Sequence, residues 1–75
     1  MRQNWYTAYV EIDVDKLQRL RKQRVMSIGD LSAESGVHRN TISRIENGEA
    51  EARTSTIRKL AKALEVEPSE LVKFE

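Results

Sequence analysis

The sequence predicts an all-α fold, a compact five-helix bundle with an N-terminal β-strand extension. Three observations predict it. Glycine and proline are confined to Gly29, Gly36, Gly48 and Pro68, which favours helices joined by tight turns over a sheet. From Asp15 onward the apolar residues recur at helical spacing. Before Asp15, residues 5–14 alternate with period two instead.

In WYTAYVEIDV, Tyr6, Ala8, Val10, Ile12 and Val14 fall on one side and Trp5, Thr7, Tyr9, Glu11 and Asp13 on the other. That is the pattern of a half-buried strand. A lone strand cannot satisfy its own backbone, and the rest of the chain offers no good partner. Asp15 is the expected N-cap of helix 1, residues 15–24, with Leu17 and Leu20 inward and Arg19, Lys22 and Gln23 outward. Ser27 and Asp30 form a shortened capping box for helix 2, which runs to about Ser35. Gly36 then supplies positive φ for a sharp turn. Helix 3 covers residues 39–47 and stops at Asn47-Gly48, and residues 49–53 form a polar loop. Thr54 or Ser55 caps helix 4, where Ile57, Leu60, Ala61 and Leu64 make an apolar stripe. Glu67-Pro68-Ser69 opens a short helix 5 with Leu71 as its inward anchor.

Composition narrows the function. Seventy-five residues make one small domain with a marginal core, divided here into an arm, residues 1–14, and a bundle, residues 15–75. There is no cysteine and one histidine, so no thiolate or multi-histidine metal site and no thiol nucleophile is expected. No nucleophile–base pair and no phosphate-cradling glycine loop is visible, so neither an enzyme nor a cofactor is expected. No apolar run nears the roughly 20 residues that span a bilayer, and no secretory signal is visible, which points to the cytoplasm. The formal charge of +1 does not by itself argue for a polyanion partner; the case rests on where the charges sit.

They sit in SIGDLSAESGVHRNTISRIENG, residues 27–48, which reads as two short helices meeting at a glycine turn, a helix-turn-helix unit. At about 100° per residue, Arg39, Asn40, Ser43, Arg44 and Asn47 share one face of helix 3. Ile42 and Ile45 point the other way, flanked by His38 and Thr41. The polar face suits base reading, because arginine pairs with guanine O6 and N7 and asparagine with adenine N6 and N7. Thr41, Ser43, Asn47 and the first amides of helix 3 suit phosphate oxygens.

Residues 15–72 resemble the Cro/phage-repressor, or Xre-type, lambda-repressor-like helix-turn-helix family. The resemblance is carried by Leu17, Leu20 and Arg21, by Gly36-Val37, by the run TISRIENG at residues 41–48 and by STIRKLAKAL at residues 55–64. It implies a bundle that docks helix 3 in the major groove of double-stranded DNA. Arg39, Asn40 and Arg44 fall where the family reads bases, and His38, Thr41, Ser43 and Asn47 at or beside backbone-contact positions. Ser27 and Ile28 flank the same surface. Arg21 and Glu46 fall where the family forms an ion pair between helices 1 and 3.

The sequence also departs from the family. Ile28 stands where glutamine is common, which removes a polar contact and leaves a side chain suited to a thymine methyl. His38 takes the place of a serine or threonine cap. The loop after helix 3 carries Glu49 and Glu51 rather than basic residues, so non-specific affinity is expected to be modest. Two copies could pair through residues 5–14 about a two-fold axis, giving a homodimer that reads two half-sites. The expected function is a sequence-specific transcription regulator, a repressor on a palindromic operator. The alternative is a protein-interaction module or antitoxin-like protein using the same bundle.

Overall fold

Nearly every helix end in this chain is marked by a specific hydrogen bond, and these bonds set the element boundaries. The computed structural model describes residues 9–73. Helix α1, Val14–Gln23, is opened by Asp13, whose carboxylate accepts the Lys16 N–H at 3.1 Å. Helix α2, Ile28–Ser35, opens on a complete capping box: Asp30 N–H donates to Ser27 Oγ and Ser27 N–H to Asp30 Oδ2, both at 2.9 Å. Gly36, at φ 78°, ends α2, and three residues later helix α3, Arg39–Glu46, begins. Helix α4 is Thr54–Leu64, followed by a 3-10 turn at Pro68–Leu71.

Three helices close with the same motif, in which a left-handed residue returns two amides to the last turn. After α3 the residue is Gly48, at φ 75°; its N–H reaches Ile45 O at 3.0 Å and that of Glu49 reaches Arg44 O at 2.8 Å. After α4 it is Glu65, at φ 61°, with Glu65 N–H on Lys62 O and Val66 N–H on Ala61 O. After α1 it is Val25, at φ 53°, with Val25 N–H on Lys22 O and Met26 N–H on Arg21 O. A β-branched residue is sterically disfavoured there, and Val25 is also 89% exposed.

The core draws on every helix. Leu17 of α1, Leu31 of α2, Ile42 and Ile45 of α3, Leu60 and Leu64 of α4, and Leu71 of the 3-10 turn are fully buried. The α4 stripe of Ile57, Leu60, Ala61 and Leu64 all faces inward. Burying one such aliphatic side chain contributes about 1.5–3 kcal/mol, so these positions supply much of the drive to fold.

The N-terminal segment is built into this core. Strand β1, Tyr9–Val10, pairs antiparallel with β2, Ala52–Arg53, setting Tyr9 opposite Arg53 and Val10 opposite Ala52. Ile12 then bridges Val72, with Asp13 N–H on Leu71 O at 2.8 Å and Lys73 N–H on Glu11 O at 2.9 Å. Residues 9–13 therefore run between two short partners from their own chain, and Ile12 is 6% exposed.

Several sequence expectations are corrected here. Among the described residues there are four α-helices, not five; the fifth is the 3-10 turn, because Val72 turns extended, at φ −108° and ψ 138°, to meet Ile12. The strand expected over residues 5–14 is only Tyr9–Val10 plus the bridge at Ile12 where it is described, and residues 5–8 lie outside the described residues. Asp13, not Asp15, caps α1. A strand partner does exist in the chain: the end of the expected polar loop is β2, with Ala52 buried. Neither Thr54 nor Ser55 caps α4. Arg53 holds that position with no side-chain capping bond, since the chain passes directly from β2 into α4.

The strain at Val25 is testable. Val25→Gly is expected to raise stability by about 1 kcal/mol, relief of the left-handed conformation outweighing the added freedom of the unfolded chain. Urea denaturation would show a higher midpoint at unchanged slope.

Candidate nucleic-acid interface

Helix α3 has a dry side and a wet side. Ile42 and Ile45 are 0% exposed. Arg39, Asn40, Thr41, Arg44 and Asn47 are exposed and Ser43 is half-buried. Among the described residues the ion pairs are Lys16–Glu70, Arg21–Glu46 and Arg24–Glu65, so the Arg39 and Arg44 guanidiniums are not neutralised by an acid there. His38 is exposed and acts as a side-chain cap, its Nδ1 accepting the Asn40 N–H at 3.1 Å.

The inner edge of α3 is anchored by charge. Arg21 donates from Nε to Glu46 Oε2 at 2.8 Å and from Nη2 to Glu46 Oε1 at 2.9 Å. The two side chains are 12% and 5% exposed. The third guanidinium nitrogen, Nη1, donates to the Met26 carbonyl at 2.8 Å. Gln18 Nε2 donates to the Glu46 carbonyl at 2.9 Å. One end of α3 is thus fixed to α1 through both the side chain and the backbone of Glu46. Neither Gln18 nor the Met26 carbonyl figured in the sequence reading. The available signal was Gln18, three residues before Arg21 and so on the same side of α1.

The start of α2 lies beside the start of α3. A Cβ built on Gly29 would lie 3.8 Å from Arg39 Nη2 and 3.7 Å from Ser27 Oγ, so the Arg39 guanidinium reaches back across the first turn of α2. Ser27 is exposed, and Ile28 is half-buried and packs against the core, which limits what Ile28 can offer a base. The Asp30 carboxyl is held below its ordinary value of 3.8 by the Ser27 backbone N–H first and the Ser27 hydroxyl second. Glu49 and Glu51 are exposed in the loop after α3, while Ala50 is half-buried and Ala52 is buried. Among the described residues no group of His, Asp or Glu is placed to hold a metal, and no helix is long and apolar enough to cross a membrane.

Two helices joined by a glycine turn, the second with a dry anchored side and an exposed cationic side, match a known family over residues 17–71, Helix-turn-helix (HTH_3). The chain belongs to the helix-turn-helix family. Several similar proteins are transcription regulators. An HTH-type transcriptional regulatory protein of Methanosphaerula palustris is 58% identical over 40 residues, 53% of this chain and 13% of that protein. The HTH-type transcriptional repressor RghR of Bacillus subtilis is 42% identical over 53 residues, 69% of this chain and 39% of that protein. The chain thus spans a minor part of these relatives. Among solved structures, the restriction-modification controller protein C.AhdI of Aeromonas hydrophila superposes with a TM-score of 0.73 at 33% identity, covering 76% of this chain and 86% of that one.

Two predictions follow from this helix-turn-helix geometry. Arg21→Ala, which strands a carboxylate that is 5% exposed, is expected to cost about 3–5 kcal/mol, while replacing both partners, Arg21→Met with Glu46→Leu, should cost far less. Denaturant titration of the three proteins measures both. The second concerns pH. Because the folded Asp30 carboxyl is more acidic than the ordinary 3.8, its stabilising contribution is present above the unfolded value and lost as pH falls through the folded one. The melting-temperature gap between the native chain and Asp30→Asn should therefore narrow as pH falls through and below the ordinary carboxylate range.

Proposed function

We propose that this helix-turn-helix chain is a sequence-specific DNA-binding regulator of transcription that inserts α3 into the major groove. The observation that carries the reading is the division of α3: Ile42 and Ile45 are fully buried while Arg39, Asn40 and Arg44 are exposed. An α-helix fits the major groove, and asparagine and arginine carry the donor patterns that recognise adenine and guanine there. Ser27, His38, Thr41, Ser43 and Asn47 flank this face and serve the sugar–phosphate backbone. The chain acts in the cytoplasm as a repressor, occupying an operator and blocking polymerase. A repressor and a restriction-modification controller among the similar proteins support this reading.

One domain presents few base contacts, so the working form is a homodimer on a palindromic operator with half-sites about one helical turn apart. Residues 9–13 already bond within their own chain. Residues 5–8, the rest of the segment 5–14 that the sequence offers for pairing between copies, lie outside the described residues.

Selection of bound duplexes from a random pool, followed by titration at several salt concentrations, tests the function. A palindromic consensus is expected, with affinity falling steeply as salt rises. Arg44→Ala should weaken binding to the selected site by about tenfold or more. Binding indifferent to salt and to Arg44 would remove the reading and favour a protein partner for this face.

A further inference from the structure

We propose that Arg39 holds a backbone phosphate and does not read a base, so that sequence discrimination by α3 rests on Asn40 and Arg44. This inference rests on the DNA-binding reading above and divides the roles within it. Arg39 is the first residue of α3, and its guanidinium reaches toward the first turn of α2. It lies across Gly29 of the neighbouring helix, with Nη2 3.8 Å from the position a Cβ would take there and Ser27 Oγ 3.7 Å from the same position. Glycine is disfavoured inside a helix. Here an alanine would only touch the guanidinium, but any longer side chain would fill the space it occupies.

Asp30 does not claim this guanidinium. Its carboxylate is turned onto the Ser27 N–H at 2.9 Å, and it is in no ion pair among the described residues. Arg39 and Ser27 therefore form a cationic, hydroxyl-bearing edge between α2 and α3. Ser27 Oγ accepts the Asp30 N–H, and its hydroxyl also serves the Asp30 carboxylate, so the donor this edge offers a ligand is the Arg39 guanidinium. A guanidinium, with donors only, is suited to phosphate oxygens, which only accept. It also offsets the repulsion that the Asp30 carboxylate would exert on a phosphate at this edge. Asn40 and Arg44, four residues apart on one side of α3, are exposed.

The experiment compares the native chain with Arg39→Ala, Arg39→Lys and Arg44→Ala, each checked for native helix content by circular dichroism. Each is put through selection from a random duplex pool and salt titration. The native chain should select a defined site, and Arg44→Ala should lose preference at one base position. Arg39→Ala should keep the native consensus, weaken all sites by a similar factor of about tenfold, and lower the salt slope by about one. Arg39→Lys should stay within about threefold of native affinity, because lysine serves a phosphate as a point charge but cannot make the paired bonds to guanine. Loss of base preference at one position in either Arg39 variant overturns the proposal while leaving the DNA-binding reading intact, as does an Arg39→Ala protein of native affinity and slope. A native chain that selects no sequence overturns the reading and this assignment with it.

Discussion

The geometry of this protein turns on one guanidinium. Arg21 uses three of its nitrogens to tie together α1, the turn after α1 and the end of α3. Its partner Glu46 is the last residue of α3 and is held a second time through its carbonyl by Gln18. A buried ion pair is a weak source of net stability, because desolvating both charges offsets much of their attraction. What it does supply is direction. A bidentate pair is satisfied only when the two planes meet, whereas Ile42 and Ile45 set how deep α3 sits and tolerate some rotation. The apolar contacts fix depth and the pair fixes angle. A recognition helix needs both, since base contacts depend on placing side chains to within a fraction of an ångström.

That fixity matters because α3 has little of its own. Eight residues are too few for a helix to be stable in water. The ends are secured by a histidine cap and by Gly48 in the left-handed region, and the middle by two isoleucines. The same economy runs through the N-terminal segment. Residues 9–13 gain their partners from two short stretches, residues 52–53 and 71–73, and in return Ile12 closes one end of the core. The segment is a structural part of the bundle as far as Tyr9.

Much of this was legible in the sequence, for physical reasons that can be named. The buried stripe of α4, the capping box at Ser27 and the left-handed glycines at positions 36 and 48 follow from local periodicity and sterics, and they stand where the residues place them. The two sides of α3 follow from wheel arithmetic alone. What was not legible depends on distant residues. Ala52–Arg53 has no strand signature of its own and becomes β2 only because Val10 arrives beside it. The alternation through Val14 hides the change of period, since Val14 faces the core from a helix as readily as from a strand; the decisive feature is Asp13, three residues before the amide it caps. Leu71 is the inward anchor of a 3-10 turn rather than of a helix because Val72 is drawn into the bridge with Ile12. Val25 could not have been foreseen, because glycine or asparagine is the usual residue for that geometry.

The charge distribution then decides how such a surface could work. With 13 basic and 12 acidic residues, the protein lacks the broad positive field that gives many DNA-binding proteins strong non-specific affinity. Two acids follow α3 in the loop and a third, Asp30, lies in the first turn of α2, so on the proposed reading phosphate approaching the rim meets repulsion as well as attraction. Attraction is concentrated in the two arginines of α3, which no acid among the described residues neutralises. On the proposed DNA-binding reading, a weak general field combined with a rigidly held cationic helix favours discrimination over adhesion: off-site binding, which depends on the field, would be low, and on-site binding would depend on geometry that Arg21 and Glu46 hold in place.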